Sequence, residues 1–487
     1  MTGDGGVSAL FTDFYSLTMA QGYWKNRMNS RAVFEMFFRR QPFGGGFSIF
    51  AGLETVLQKL LAFSFSKDDL AYLESLDFFE DAFLEYLENF RFTGSIWAMD
   101  EGSVVFPQEP LIRVDSNFIE CQIVEGLILN TLNFQSLIAT KTARVSLAAE
   151  GGPLMEFGLR RAQGADGALS ASRAAFIGGA TGTSNVLAGR EYGIPVLGTM
   201  AHAWVMSFPR EEDAFRAYAE LYPDKTVFLI DTYDTLKSGV VNAVKVGKEL
   251  AARGKNFGVR LDSGDMHYLS VEVRRFLDEA GFSRATITVS NDLDESIVET
   301  LVKAGAPIDF WGVGTQMVTG GSDAAFTGVY KLAAKAGGDG VLVPAIKFSD
   351  NPEKTTNPGV KQVWRLRSGG LAFADILALD NGNEGEGDDI LEPGKRCAFW
   401  HPQADYRRFY HTLEEAPESL LKKRIENGSL TEPFPPLDEI SARRRAGLEG
   451  FDQSYKRFLN PHIYKVSMTE KLRTLKLNLI KNCLGEL

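Results

Sequence analysis

Phe257-Gly-Val-Arg-Leu-Asp-Ser-Gly-Asp265 begins as an apolar run of strand length and ends in charge and hydroxyl. A second stretch, Ile194-Pro-Val-Leu-Gly-Thr-Met-Ala-His202, is built the same way. Helix-length patterns, Val240–Ala252 and Tyr268–Ala280, stand on either side of the first. Strands that close in functional side chains and feed helices are the units of a β/α barrel, whose chemistry sits at the C-terminal strand ends.

Working outward, the same rhythm runs from Leu154. Strands are expected at Leu154–Leu159, Ala174–Gly178, Pro195–Gly198, Thr226–Ile230, Phe257–Leu261, Thr286–Val289 and Ile308–Val313, with a further helix at Asp294–Lys303. Repeated βα units imply a parallel sheet with right-handed crossovers, and about seven strands favour a barrel. Before this region the alternation is absent. Thr12-Asp13 reads as a helix N-cap pair before a helix from Phe14 to Trp24, Ala32–Phe38 as a strand, Gly44–Gly46 as a loop and Leu53–Phe63 as a helix. After Lys335 the pattern breaks into Gly-rich and acidic stretches, among them the solvated loop expected at 380–389. The predicted organisation is an α/β domain over 1–145, an irregular β/α barrel carrying the active site over 146–335, and C-terminal segments over 336–487.

The chain has 487 residues, 44% hydrophobic and 24% charged, as in ordinary globular proteins, and is long enough for more than one core. A formal net charge of −11 argues against nucleic acid or an anionic membrane as the main partner. Cys121, Cys397 and Cys483 are odd in number and widely spaced, so reduced cytoplasmic thiols are expected rather than a disulfide framework or a zinc site. The opening residues carry no basic and apolar leader pattern, and no apolar run reaches the roughly 20 residues of a membrane span.

The strand-end residues with chemical use are Arg160, His202, Asp231, Arg260, Asp262, Asn291 and Thr315. Arg260, inside an apolar strand, must find an anion, and its planar fork suits carboxylate or phosphate. An internal pair with Asp262 or Asp231 satisfies it equally well. Gly312-Val-Gly314-Thr315 and Gly178–Ser184 offer backbone N–H groups to phosphate, although neither is a Walker or dinucleotide fingerprint. Asp265 and Asp234 read as helix caps, and Asp292 with Glu295 as a capping box. Lys347, Lys354 and Lys361, with Thr355 and Thr356, would suit a phosphate-gripping loop, with a solvated charge run as the default reading. The sum is a barrel-end pocket for a phosphate-rich substrate plus a small anion.

With those residues laid out, the chain closely resembles the nicotinate phosphoribosyltransferases. The resemblance rests on Thr12–Trp24, Phe37–Gly46, Glu156–Gln163, Ser184–Gly189, Gly198–His202, Gly258–Asp265 and Asn357-Pro-Gly359, in the family's order. It implies a type II phosphoribosyltransferase fold with C-terminal segments returning to the N-terminal domain. The implied activity forms nicotinate mononucleotide and pyrophosphate from nicotinate and phosphoribosyl pyrophosphate, with Mg²⁺ and coupled ATP hydrolysis, as the first step of NAD salvage. By matching motif, Tyr15, Phe157 and Arg160 would bracket the pyridine ring, Tyr15 coming from the second subunit of a homodimer. Thr199 and Arg260 would also touch nicotinate, and Asp262, Gly314 and Thr315 would hold the phosphoribosyl group. His202 matches the family's phosphorylated histidine. Phe14, where the family often has Leu, and Ala203, where it often has Ser, are small departures. A nicotinamide-specific enzyme would carry an acid near the ring, and Gly182-Thr-Ser-Asn185 has none. Quinolinate enzymes are shorter, and a non-catalytic sensor would have lost His202, Asp262 or the Gly/Thr loops.

Overall fold

The computed structural model describes residues 7–380 and 391–485; the acidic loop expected at 380–389 lies almost wholly outside them. Contacts divide the chain into two compact units, 138–324 and a second formed by 1–137 with 325–487.

The unit 138–324 carries the βα rhythm. Its elements are β1 (Leu154–Glu156), α1 (Gly164–Gly178), β2 (Gly182–Thr183), α2 (Val186–Tyr192), α3 (His202–Met206), α4 (Glu211–Leu221), β3 (Val227–Leu229), α5 (Val240–Ala252), β4 (Gly258–Leu261), α6 (Met266–Glu279), β5 (Thr286–Ser290), α7 (Glu295–Lys303), β6 (Phe310–Val313) and α8 (Thr315–Val318). The six strands form one all-parallel sheet in the order β2-β1-β6-β5-β4-β3. Such strands are buried on both faces, and Phe228, Val259, Leu261, Ile287, Val289 and Val313 are fully or almost fully enclosed. Among the described residues no ladder joins β2 to β3.

Three expectations are corrected here. Ala174–Gly178 is the last stretch of helix α1 and not a strand. A short apolar run enclosed on several sides has no period of its own, and the Ala-rich sequence ahead of it winds the chain into a helix that Gly179 stops in the left-handed region (φ 115°). Pro195–Gly198 makes only one bridge, Val196 with Thr183, because β2 is two residues long. Asp292 and Glu295 form no capping box. Asp294 caps α7 through the N–H groups of Ser296 and Ile297, while Glu295 turns inward to meet Lys141 and Arg144, all three being buried. Asp265 and Asp234 cap as expected, the latter opening a π-helical turn, Thr235–Gly239, that leads into α5.

In the other unit, a helix at Phe14–Lys25 precedes the strand Arg31–Phe38, and a further helix spans Leu53–Leu61. That strand pairs antiparallel on one side with Ile112–Asn117 and on the other with Gly328–Ala336, Ala32 standing opposite Lys335. Chain from both ends therefore builds one seven-stranded sheet. A six-stranded sheet of later strands encloses Leu366, Ile376, Phe399 and Leu413. No disulfide forms, and no helix is long and apolar enough to cross a membrane, among the described residues.

Candidate active site

The parallel sheet delivers its polar residues to one open cleft of about 540 Å³. Phe157, Arg160 and Arg161 come from the segment after β1, Arg260 and Asp262 from β4 and its end, and Ser290, Asn291 and Asp292 from the end of β5. Gly312, Gly314 and Thr315 come from β6 and the turn after it. Ligands of α/β sheets bind at these carboxyl ends because the loops there are free to carry chemistry.

Arg260 organises the floor. Its Nη2 donates to Asp262 Oδ1 at 2.8 Å, Nη1 to Thr199 Oγ1 at 2.9 Å and Nε to Ser290 Oγ at 2.8 Å. Ser290 donates onward to the same Asp262 oxygen. The internal partner left open by the sequence is therefore Asp262. Burial pushes the Asp262 carboxyl up, but the Ser290 hydrogen bond and the charge of Arg260 outweigh it and hold the group below its ordinary range. The guanidinium also lies 5.5 Å from the centre of the Phe157 ring, within cation–π reach.

Asp231 fixes the turn from below. Its Oδ2 accepts the Asp262 N–H and the Ser263 hydroxyl, each at 2.7 Å. Its Oδ1 is buried with no hydrogen-bond partner among the described residues. His202 opens α3, its Nδ1 3.1 Å from Thr232 Oγ1 and its Nε2 3.7 Å from Asp262 Oδ2. The ring therefore stands between the ends of β3 and β4.

The upper wall is aromatic and basic. Phe157 donates its N–H to Val313 O at 2.8 Å, and its ring lies over Gly312, where a Cβ would come within 2.7 Å of it. Glu156, almost fully buried, accepts from Gly158 N, from Ser172 Oγ at 3.0 Å and from Thr183 Oγ1, which fixes the turn bearing Phe157. Arg160 and Arg161 are exposed on the cleft, and their guanidinium groups make no hydrogen bond or ion pair among the described residues. Asn291 holds φ at 107°, a positive value that Asn tolerates better than most side chains.

Of the residues expected at a site, Phe157, Arg160, Arg260, Asp262, Gly314 and Thr315 line the cleft, Thr199 is bonded to its lining through Arg260, and His202 stands 3.7 Å from Asp262, all in this one unit. Tyr15, Lys347 and Lys354 lie in the other unit. Tyr15 is about half exposed on the first helix. Lys347 and Lys354 are exposed, and the Lys347 N–H donates to Thr356 Oγ1 at 3.0 Å. Lys361 is not available to grip phosphate: it is buried, with its ammonium on Glu35 and on the carbonyls of Asn357 and Gly359. Ser290, Glu156 and Arg161 were not expected as site residues. The signal for Glu156 was an acid ending an apolar strand.

Three family models tile the chain: the nicotinate phosphoribosyltransferase N-terminal domain over residues 10–133, the nicotinate phosphoribosyltransferase family over 153–367, and its C-terminal domain over 360–476. A nicotinate phosphoribosyltransferase of Bacillus subtilis (strain 168) is 42% identical over 465 residues, 95% of this chain and 93% of that one. One from Mycobacterium tuberculosis is 45% identical over 440 residues, 89% of this chain and 92% of that one. The crystal structure of human nicotinic acid phosphoribosyltransferase superposes with a TM-score of 0.84 at 31% identity, covering 96% of this chain and 99% of that one.

Proposed function

This chain belongs to the nicotinate phosphoribosyltransferase family, and we propose from that premise that the strand-end cleft joins nicotinate to the ribose of phosphoribosyl pyrophosphate, releasing pyrophosphate, in NAD salvage from nicotinate. The observation that carries the assignment of the cleft is its wall: one aromatic face, Phe157, beside two guanidinium groups, Arg160 and Arg161, that have no internal anion.

In this reading the pyridine ring stacks on Phe157, with Tyr15 of a second copy of the chain on its other face. Its carboxylate meets Arg160, Arg260 and Thr199. The hydroxyl and phosphate groups of the sugar fall to Asp262, Gly314 and Thr315, and the loop bearing Lys347 and Lys354 is assigned to phosphate of ATP. The C1–O bond to pyrophosphate breaks as the ring nitrogen's lone pair forms the C1–N bond. No proton is removed from the nucleophile, so the residues act by positioning and by stabilising the leaving charge. The donor set suits Mg²⁺: the unpartnered oxygen of Asp231 and the neighbouring Asp262 are hard oxygen ligands that would hold the ion together with substrate phosphates. Bound there, it would neutralise charge on the departing pyrophosphate.

His202 is assigned the coupling of ATP hydrolysis. A ring nitrogen attacks the γ-phosphorus, the N–P bond forming as the bond to the β-phosphate oxygen of departing ADP breaks. Water later cleaves the N–P bond to give inorganic phosphate and restore the imidazole. The six-stranded parallel sheet is read as the wall of an irregular β/α barrel, the subunits as a homodimer, and the location as cytoplasmic. The sequence divisions 1–145, 146–335 and 336–487 remain our proposed domains.

The test is product formation from nicotinate and from nicotinamide, with and without ATP and Mg²⁺. A site that pairs a carboxylate with the half-buried guanidinium of Arg260 should prefer the acid by about 30-fold or more, the weight of a charge-assisted pair of at least about 2 kcal/mol. Comparable efficiency on nicotinamide would refute the assignment.

A further inference from the structure

His202 stands at the head of a helix that has little to hold it. Helix α3 is five residues long, its N-cap Ala201 offers no side-chain bond, and only Val205 of its residues is buried. Isolated helices of this length do not persist without tertiary anchors. Among the described residues one side-chain hydrogen bond ties α3 to a neighbouring helix: the Trp204 indole N–H donates to Ala214 O, in α4, at 3.0 Å. The Trp204 ring also meets Phe208 at 4.9 Å and the edge of Tyr218, on α4, at 6.0 Å.

Helix α4 is itself well fixed. Glu211 accepts from Asn242 at 2.9 Å, Glu212 pairs with Lys245 at 2.5 Å and Arg216 with Glu249 at 2.8 Å, all across to α5. Phe215 packs on Phe228 of β3 with ring centres 4.9 Å apart. Strand β3 runs directly to Asp231 and Thr232, and Thr232 is the residue that meets the His202 ring. His202 is thus held on two paths that share β3, one through Thr232 and one through α4 and Trp204. The first touches the ring, and the second sets where the helix that carries it can lie.

We propose that Trp204 is a positioning residue for His202, and that its indole N–H keeps α3 where the imidazole can take up and release a phosphoryl group. The proposal rests on the assignment of His202 above and goes beyond it by naming what aims it. Ala214 O belongs to a helical ladder, so losing the indole donor leaves no orphaned acceptor. The bond therefore serves placement more than folding.

The experiment compares the full-length protein with Trp204→Phe, and with Trp204 replaced by 3-benzothienylalanine, which keeps the ring shape and lacks only the N–H. Three quantities are measured: the ratio of nicotinate mononucleotide formation with ATP to that without, acid-labile phosphate on the protein after exposure to γ-labelled ATP, and the melting temperature. Both variants should lose about three- to tenfold of the ATP stimulation, the weight of one hydrogen bond, with phosphoenzyme falling in step and melting unchanged. In a His202→Ala background the same replacements should leave the ratio where His202→Ala alone puts it. Full ATP stimulation in the benzothienylalanine protein would overturn the proposal, as would an equal loss of rate in the His202→Ala background. If the unmodified protein transferred ribose but showed neither stimulation nor phosphoenzyme, the His202 assignment would fall, and the proposal with it.

Discussion

Ser290 serves two charged groups with one hydroxyl: it accepts from Arg260 Nε and donates to Asp262 Oδ1. Ser290→Ala removes both bonds and leaves a guanidinium N–H and a carboxylate oxygen partly unsatisfied in a half-buried site. That costs about 1–2 kcal/mol of site organisation, so kcat/KM for nicotinate should fall about tenfold. Because the Ser290 bond helps to hold Asp262 below its ordinary range, the acid limb of the pH–rate profile should also move to higher pH in the variant. An unchanged acid limb with unchanged kcat/KM would show that the hydroxyl does not organise the pair. Arg260, Asp262 and His202 were legible beforehand because a charge that ends an apolar strand must have a use. Ser290 was not, since a serine at a strand end is compatible with any neighbour. Its role exists only because parallel β4 and β5 stand side by side, Thr288 beside Arg260.

Among the elements, the same limit recurs in another form. Helices with a one-sided apolar stripe were readable almost to the residue, Val240–Ala252 without error and Glu295–Lys303 within one position, because period and caps agree there. Helix α1 was misread because it is enclosed on several sides and offers no stripe. The C-terminal helix Glu470–Leu484 shows what burial does to a polar residue. Lys476 is almost fully buried, its ammonium donating to Asn357 Oδ1 at 2.8 Å and Pro402 O at 2.7 Å. Burial lowers it from 10.5 to about 8, and nearby Lys361 adds to the shift while Asp405 opposes it. Between about pH 8 and 10.5 the unfolded chain then holds a proton that the folded chain does not, so this residue's contribution to stability rises with pH across that window. Stability from urea unfolding should rise less, or fall more, with pH through that range in Lys476→Met than in the parent. Equal slopes would mean that Lys476 titrates normally when folded.

At the scale of the whole molecule, a chain of net charge −11 still brings three arginines to one cleft, two of them, Arg160 and Arg161, without an ion pair among the described residues. What completes that cleft is the question for the assembly. Tyr15 and Phe14 are each about half exposed on the first helix, with Phe11 and Phe78 also exposed nearby in sequence or by ring contact. Large aromatic groups left open in this way mark surfaces that something else covers. The proposal that Tyr15 serves a second copy's site gives a quantitative expectation. Tyr15→Ala and Arg260→Ala proteins should each be nearly inactive alone. Mixed in equal amounts and allowed to exchange subunits, they give about half hybrid dimers, and in each hybrid one of the two sites pairs an intact Arg260 with an intact Tyr15. Recovered activity should then approach about a quarter of the parent's. If Tyr15 acted within its own chain, every site in every dimer would lack one of the two residues. Mixing would restore nothing, and that result, with exchange demonstrated by differently tagged subunits, would refute the shared site.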